Sequence, residues 1–218
     1  MANPKIITAE EAAALVEEKC RLMCGAFLAV GSPKNIIDAL VKQGTKNLHL
    51  IAIAPDYDDK GMGKLVASGQ VTSMQISWHG SNRASQNGFN SGEIDIEFNP
   101  QGILMERIRA SGAGLGGFLS PVGLNTVIEE KRGTIELDGK KWVLERPIHG
   151  DIAILRAKKA DKLGNLTFSK TARNCNPVMA MAAKTVIVEV DEIVETGEID
   201  PEHVISPSVF TDYLVLHK

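Results

Sequence analysis

The stretch Leu48-His49-Leu50-Ile51-Ala52-Ile53-Ala54 carries one polar side chain in seven, and a run like that has few places to go. It is too short to span a membrane and too continuous for a strand with one wet face. It therefore reads as a central strand of a parallel sheet, covered on both sides. Parallel neighbours need crossovers, which helices usually provide, and the sequence supplies them. Thr8 followed by Glu11 makes a capping box, and Ala12, Leu15, Val16 and Cys20 recur at helical spacing, predicting a helix over 9–20. Arg21–Val30 reads as a strand running into a loop. Ser32 is a candidate N-cap, with Pro33 in the first helical position and Gly44 closing that helix. Val71–Ser77, Ile94–Phe98, Asp151–Leu155 and Val186–Val190 are further strands, with a short helix over 176–184. Asp138-Gly139 between Thr134–Leu137 and Lys141–Leu144 is a hairpin signal. The expected fold is α/β, a mostly parallel sheet with helices on both faces and a small β-hairpin insertion, in a single domain over 1–218.

Composition removes several function classes. The 44% apolar content is enough for a core, and 24 basic against 27 acidic residues leave a net charge of −3, no footprint for nucleic acid or an anionic membrane. No 18-residue apolar run exists, and MANPKIITAEEAAALVEEK carries charge where a secretory leader is apolar. Cys20, Cys24 and Cys175 form neither a CxxC pair nor an even framework, which suits a reducing, cytoplasmic setting.

Generic catalytic signatures are absent: no GxSxG, no HExxH, no phosphate-binding GxxxxGK[ST]. His49, His79, His149, His203 and His217 show no ligand spacing, so no metal is expected. Gly112-Ala113-Gly114-Leu115-Gly116-Gly117 matches GxGxxG formally, but the helix-patterned PQGILMERIRA precedes it where a dinucleotide site needs a strand. Its Leu115, Phe118 and Leu119 suit close approach to a ligand or a partner better than an open surface loop. Cys24–Pro33 is a second glycine-bearing loop, leading into the helix that Ser32 would cap. Small residues there allow close approach, and helix-start amides favour phosphate or carboxylate. A tight strand–helix turn explains the same residues equally well.

Gly25–Pro33, Pro100-Gln101-Gly102 with Glu106-Arg107-Ile108-Arg109, Gly112-Ala113-Gly114, and Gly164-Asn165 followed by Thr171-Ala172-Arg173-Asn174 and Asn176-Pro177 stand in the order found in the α (A) subunits of family I coenzyme A-transferases. The resemblance runs from about residue 5 to 215 and is strongest to acetate and butyrate–acetoacetate CoA-transferase subunits. It implies the fold shared with sugar-phosphate isomerases and transfer of CoA from an acyl-CoA to a free carboxylate without ATP or metal. In the family a glutamate attacks the thioester, giving a mixed anhydride and then a glutamyl-CoA thioester. That glutamate belongs to a Glu-Asn-Gly motif on the β subunit, and this sequence has no Glu-Asn pair. Glu93 in Ser-Gly-Glu is the nearest imitation, and its alternation with Ile94, Ile96 and Phe98 reads as the polar face of a strand. No catalytic residue is therefore expected in this chain, which would need a β subunit, as an αβ pair assembled to α2β2.

The resemblance places Gly25, Ala26, Phe27, Leu28, Ala29, Val30 and Gly31 against CoA, and Gln101, Gly114 and Gly116 on the acyl and oxyanion side. Gln101 could instead satisfy backbone at a helix start. Ala26 and Ala29 stand where relatives often have glycine, tolerable unless the backbone requires positive φ. Ile53-Ala54-Pro55 replaces polar residues that in relatives contact the acyl carboxylate, which favours short unsubstituted acyl groups: butyryl-CoA as donor, acetate or acetoacetate as acceptor. The alternatives are a non-catalytic ligand-binding protein of the same fold and a nicotinamide-dependent oxidoreductase.

Overall fold

The computed structural model describes residues 3–217. Its strands, in chain order, are β1 (Lys5–Ile6), β2 (Arg21–Cys24), β3 (Leu48–Ile51), β4 (Val71–Ile76), β5 (Asp95–Phe98), β6 (Phe118–Ser120), β7 (Thr134–Leu137), β8 (Lys140–Glu145), β9 (Gly150–Asp161), β10 (Leu166–Thr167), β11 (Ala183–Val194) and β12 (Tyr213–Leu216). The helices are α1 (Ala9–Ala14), α2 (Lys34–Gln43), α3 (Gly63–Ala67), α4 (Arg83–Ser91), α5 (Gln101–Gly112), α6 (Val127–Arg132) and α7 (Asn176–Ala180). The main sheet runs β1-β12-β11-β9-β2-β3-β4-β5, all parallel, with β10 antiparallel on β9.

Alternation along the strands separates two apolar cores. Leu22, Cys24, Leu50 and Ile154 point to one face, where Ala12, Ile36, Leu40 and Leu65 cover them. Met23, Ile51, Ala153 and Leu155 point to the other, under Leu104, Ile108 and Met179. The parallel sheet clothed on both sides is thus present as expected. The hairpin is also there, with Asp138 at φ +52 and Gly139 at φ +70 in the turn, but β6 joins it to make a three-stranded antiparallel sheet, β6-β8-β7.

Several boundaries differ from the sequence reading; the helix expected over 176–184 ends at Ala180, and β11 has begun at Ala183. The first helix stops at Ala14, and the chain then turns through Lys19 at φ +64; Val16 and Cys20 are buried from outside the helix. Strands β9 and β11 reach twelve residues each, well beyond their apolar centres. Their outer halves look like polar loop in sequence, yet they pair charges across the ladder, Lys158 with Asp191 at 3.1 Å and Lys159 with Glu192 at 2.8 Å.

Candidate functional site

Chain direction fixes where a ligand can sit. From β2 the chain winds one way through β3, β4 and β5, then returns to the other side of β2 as β9 and continues through β11 and β12. Open parallel sheets hold ligands outside the strands' carboxyl ends where the winding reverses. A cleft of about 890 Å³ lies there, lined by Phe27 after β2, Ile53 after β3, Ser77 and Trp78 after β4, Gln101 and Met105 on α5, and Thr171, Asn174 and Cys175 ahead of α7, with Leu28 and Val30 completing the first wall.

The lining is largely apolar, and its polar groups are mostly engaged. Ser77 Oγ donates to the Ile53 carbonyl at 2.8 Å. Asn174 Nδ2 donates to the Val30 carbonyl at 2.9 Å and its Oδ1 accepts from the Cys175 amide at 2.7 Å, tying the two walls together. Burial pushes the Cys175 thiol up to about 12, so it remains a thiol and no thiolate nucleophile forms. Gln101 opens α5 directly after Pro100, and its side-chain amide caps no backbone among the described residues. Among the described residues no carboxylate lines the cleft.

Of the loop expected against CoA, Phe27, Leu28 and Val30 face this cleft. Ala29 and Gly31 face a separate polar pocket of about 220 Å³ with Lys34, Arg156, Lys158, Asp191 and His217. Gly25 and Ala26 are buried behind the wall. A Cβ on Gly25 would lie 1.9 Å from Asn176 Oδ1, so packing requires glycine there. The backbone does demand positive φ at Ala29, +66, and at Leu28, +50; Ala26 has no such demand. The helix-start expectation is corrected. Pro33, not Ser32, occupies the N-cap of α2 with no side-chain cap, and Ser32 Oγ is buried without a partner. The first-turn amides of Asn35 and Ile36 instead donate to Glu189 Oε2, at 2.8 and 3.2 Å. An internal carboxylate thus takes two of the helix-start amides that the sequence reading offered to a ligand phosphate or carboxylate.

Gly114 and Gly116 do not join the cleft. They follow the carboxyl end of α5, about 18 Å of helix from Gln101, exposed and with open space around each. The glycine cluster serves packing at its flanks: a Cβ on Gly112 would sit 2.5 Å from Met181 Cβ, and one on Gly117 2.6 Å from the Glu145 carbonyl. No parallel strand precedes this loop, so the dinucleotide motif is formal only. Gly164-Asn165 closes a turn in which Thr211 Oγ1 donates to the Gly164 carbonyl at 2.9 Å. Sequence reasoning missed Trp78, Met105 and Cys175; following each predicted parallel strand past its carboxyl end would have found Trp78.

A polar network behind the cleft joins the two sheets. Arg107 on α5 donates to Glu97 Oε1 at 2.5 Å, Asn99 Oδ1 at 2.6 Å and the Arg146 carbonyl at 2.7 Å. Arg132 donates to Glu97, Asn99 and the fully buried Glu145. Burial pushes the Glu97 carboxyl up, but hydrogen bonds from Gln75 and Arg107 and the charges of Arg107 and Arg132 outweigh it, leaving it below its ordinary range.

Comparison with known proteins bears on this geometry. The family model described as coenzyme A transferase matches residues 6–217. The chain is 42% identical over 212 residues to the alpha chain of the acetate CoA-transferase of Escherichia coli K12, covering 97% of this chain and 96% of that one. It is 44% identical over 209 residues to the A subunit of the probable succinyl-CoA:3-ketoacid coenzyme A transferase of Bacillus subtilis 168, covering 96% and 88%. Its fold superposes with a TM-score of 0.88 at 22% identity on the E. coli O157:H7 acyl-CoA transferase in a thioester complex with CoA, covering 99% of this chain and 47% of that longer one.

Proposed function

The chain belongs to the coenzyme A transferase family, and we propose that it is the α half of an enzyme moving CoA from a short-chain acyl-CoA to a free carboxylic acid, completed by a β subunit in an α2β2 assembly. One observation supports the division of labour: the cleft at the switch point is apolar-lined, with room for an acyl group, and has no carboxylate among its described lining residues. In the proposed cycle the partner's glutamate attacks the thioester carbonyl and the CoA thiolate leaves, forming a mixed anhydride. The thiolate then attacks the glutamyl carbonyl, releasing the first acid, and a second acid reverses the sequence. This chain's residues hold the acyl tail out of water, and Gln101 donates its amide to the incoming carboxylate.

The apolar lining favours unsubstituted acyl groups. An unpaired buried oxygen function costs about 1–3 kcal/mol, while each methylene buried beside Ile53, Trp78 or Met105 contributes about 0.8 kcal/mol. Butyryl-CoA with acetate or acetoacetate is therefore the proposed pair. The purified chain is expected to be inert in thioester exchange and to gain activity on addition of a β chain carrying Glu-Asn-Gly. Exchange by the chain alone would remove the proposed division. Across acetyl-, butyryl-, acetoacetyl- and succinyl-CoA, the reconstituted pair should prefer butyryl-CoA; preference for succinyl-CoA would overturn the substrate argument.

Gln101→Ala should raise the KM for the free acid roughly tenfold, the loss of a hydrogen bond to a charged group, while leaving Tm unchanged. A fall in Tm with unaltered kinetics would assign Gln101 to the helix start instead.

A further inference from the structure

The wall formed by Phe27–Val30 is an unusual tight turn. Phe27 and Val30 exchange backbone hydrogen bonds at 3.1 and 3.0 Å, leaving Leu28 and Ala29 as central residues, both left-handed and neither glycine. Hairpin turns of this shape favour Asn-Gly, because a Cβ is strained at positive φ. Asn174 holds the turn's last carbonyl, at Val30, and one carboxylate reaches its strained centre. Asp56 is fully buried and itself at φ +55. Its Oδ1 accepts from the Ala29 amide at 2.8 Å and its Oδ2 from the Met62 amide at 3.2 Å. Its backbone is pinned by Ser81 Oγ, which donates to the Asp56 carbonyl at 2.5 Å. Gly61 lies against the carboxylate, where a Cβ would come within 2.1 Å of Oδ2.

We propose that Asp56 is a positioning residue for the cleft: ionised, it holds the Phe27–Val30 turn so that Phe27, Leu28 and Val30 form the substrate wall, and protonation releases that turn. A carboxylate accepts both amides, whereas a proton on either oxygen sets an O–H donor against an N–H donor. The Met62 amide is buried at the start of α3, while Ala29 sits in a half-exposed, strained turn, so Ala29 gives way. The titratable groups facing Asp56 are the thiols of Cys24 on β2 and Cys175 ahead of α7, both kept neutral by burial. Desolvation raises Asp56 to about 6 against the two amide hydrogen bonds, which lower it. A carboxyl raised in the folded state binds more protons there than in the unfolded chain. The stability it contributes therefore falls as pH rises from about 4 to about 6. The ionised form orders the cleft and strains the fold.

The test uses the full, 15N-labelled chain from pH 5 to 7.5. The Ala29 and Met62 amide resonances should titrate together with a midpoint near 6, and in Asp56→Asn they should stay still. Asp56→Asn should also melt at or above wild type at pH 7.5. Amides that do not move in wild type, or that titrate equally in the variant, overturn the proposal. If Asp56→Asn does not fold, the wild-type titration decides alone. A kinetic arm rests on the transferase reading. With a β chain, Asp56→Asn should raise the acyl-CoA KM about fivefold at pH 7.5, the loss of one hydrogen bond, with kcat little changed. Ala29→Gly, which accepts positive φ without a latch, should restore the KM in that background; failure to restore it counts against the latch. A pair with no transfer activity but a titrating Ala29 amide overturns the transferase reading only.

Discussion

Gly25→Ala is expected to destabilise the chain by about 3 kcal/mol or more, lowering Tm by roughly 6–12 °C for a domain of this size. The added Cβ would meet Asn176 Oδ1 at 1.9 Å and Cγ at 2.5 Å. Asn176 cannot retreat without loss, because it is fully buried and bonded on both sides. Its Oδ1 accepts from the Arg156 amide at 3.1 Å, and its Nδ2 donates to the Ala172 carbonyl at 2.9 Å. Those bonds fix the segment 169–176, the wall of the cleft opposite Phe27. Substrate affinity in the reconstituted enzyme should fall with stability. The discriminating measurement is a double-mutant cycle in thermal melts. Asn176→Ala makes room for the new methyl, so Gly25→Ala should cost far less in that background. Additive losses would show that the 25–176 contact is not the cause.

Arg107→Met should cost about 3–5 kcal/mol, the range for removing one partner from a buried ion-pair network. The guanidinium is nearly enclosed, and its loss leaves the Arg146 carbonyl without its donor and Asn99 Oδ1 and Glu97 Oε1 held by Arg132 alone. Glu145, fully buried and 3.8 Å from Arg107, would rely on Arg132 alone. Because the Arg107 side chain donates to the Arg146 carbonyl just past β8 and lies 3.8 Å from Glu145 at its end, the three-stranded sheet should loosen first. Hydrogen exchange at the β8 amides should accelerate before those of β9. Acid sensitivity follows a definite sign. Glu97 is depressed in the folded chain, so its contribution is fully present above the unfolded carboxyl value near 4.3. That contribution is lost as pH falls through the lower folded value. Removing Arg107 should move this acid limb of the Tm–pH curve upward. A variant that melts within about 2 °C of wild type, well short of the drop expected for a loss this large, and keeps the acid limb would show that the network holds nothing together.

Much of the fold was legible because its signals are local. The near-continuous apolar run at 48–54 announced a strand covered on both faces, and Leu50 and Ile51 do point into opposite cores. The capping box at Thr8 formed as written, with the Thr8 hydroxyl accepting from the Glu11 amide at 3.1 Å and Glu11 accepting from the Thr8 amide at 2.8 Å. Gly44 closes α2 in the left-handed conformation, and Asp138-Gly139 turns the hairpin. The cleft was legible in part. Phe27, Leu28, Val30, Gln101 and Ile53 meet there although they span 75 positions of sequence, because each follows the end of a parallel strand or opens the helix after one. Gly114 and Gly116 looked equivalent to them, but their glycines come at the far end of α5 and never reach that side of the sheet.

Spacing and propensity, which act over a few residues, determined which segments are strands and helices, and that β2 to β5 would lie parallel. Tertiary structure alone decided which side chains satisfy the exposed amides. Ser32 is adjacent to α2 and was the natural cap, yet its hydroxyl is left unpartnered. Glu189, 154 residues away from Asn35, takes the role. Asp56, 27 residues away from Ala29, likewise holds a turn that local preference disfavours. Neither pairing is written in the chain near either residue. Both follow from strand order: β9 and β11 fold back beside β2, and β3 lies on its other side. A buried carboxylate then meets whichever amides that order brings within hydrogen-bond reach, and desolvation makes any other arrangement costlier.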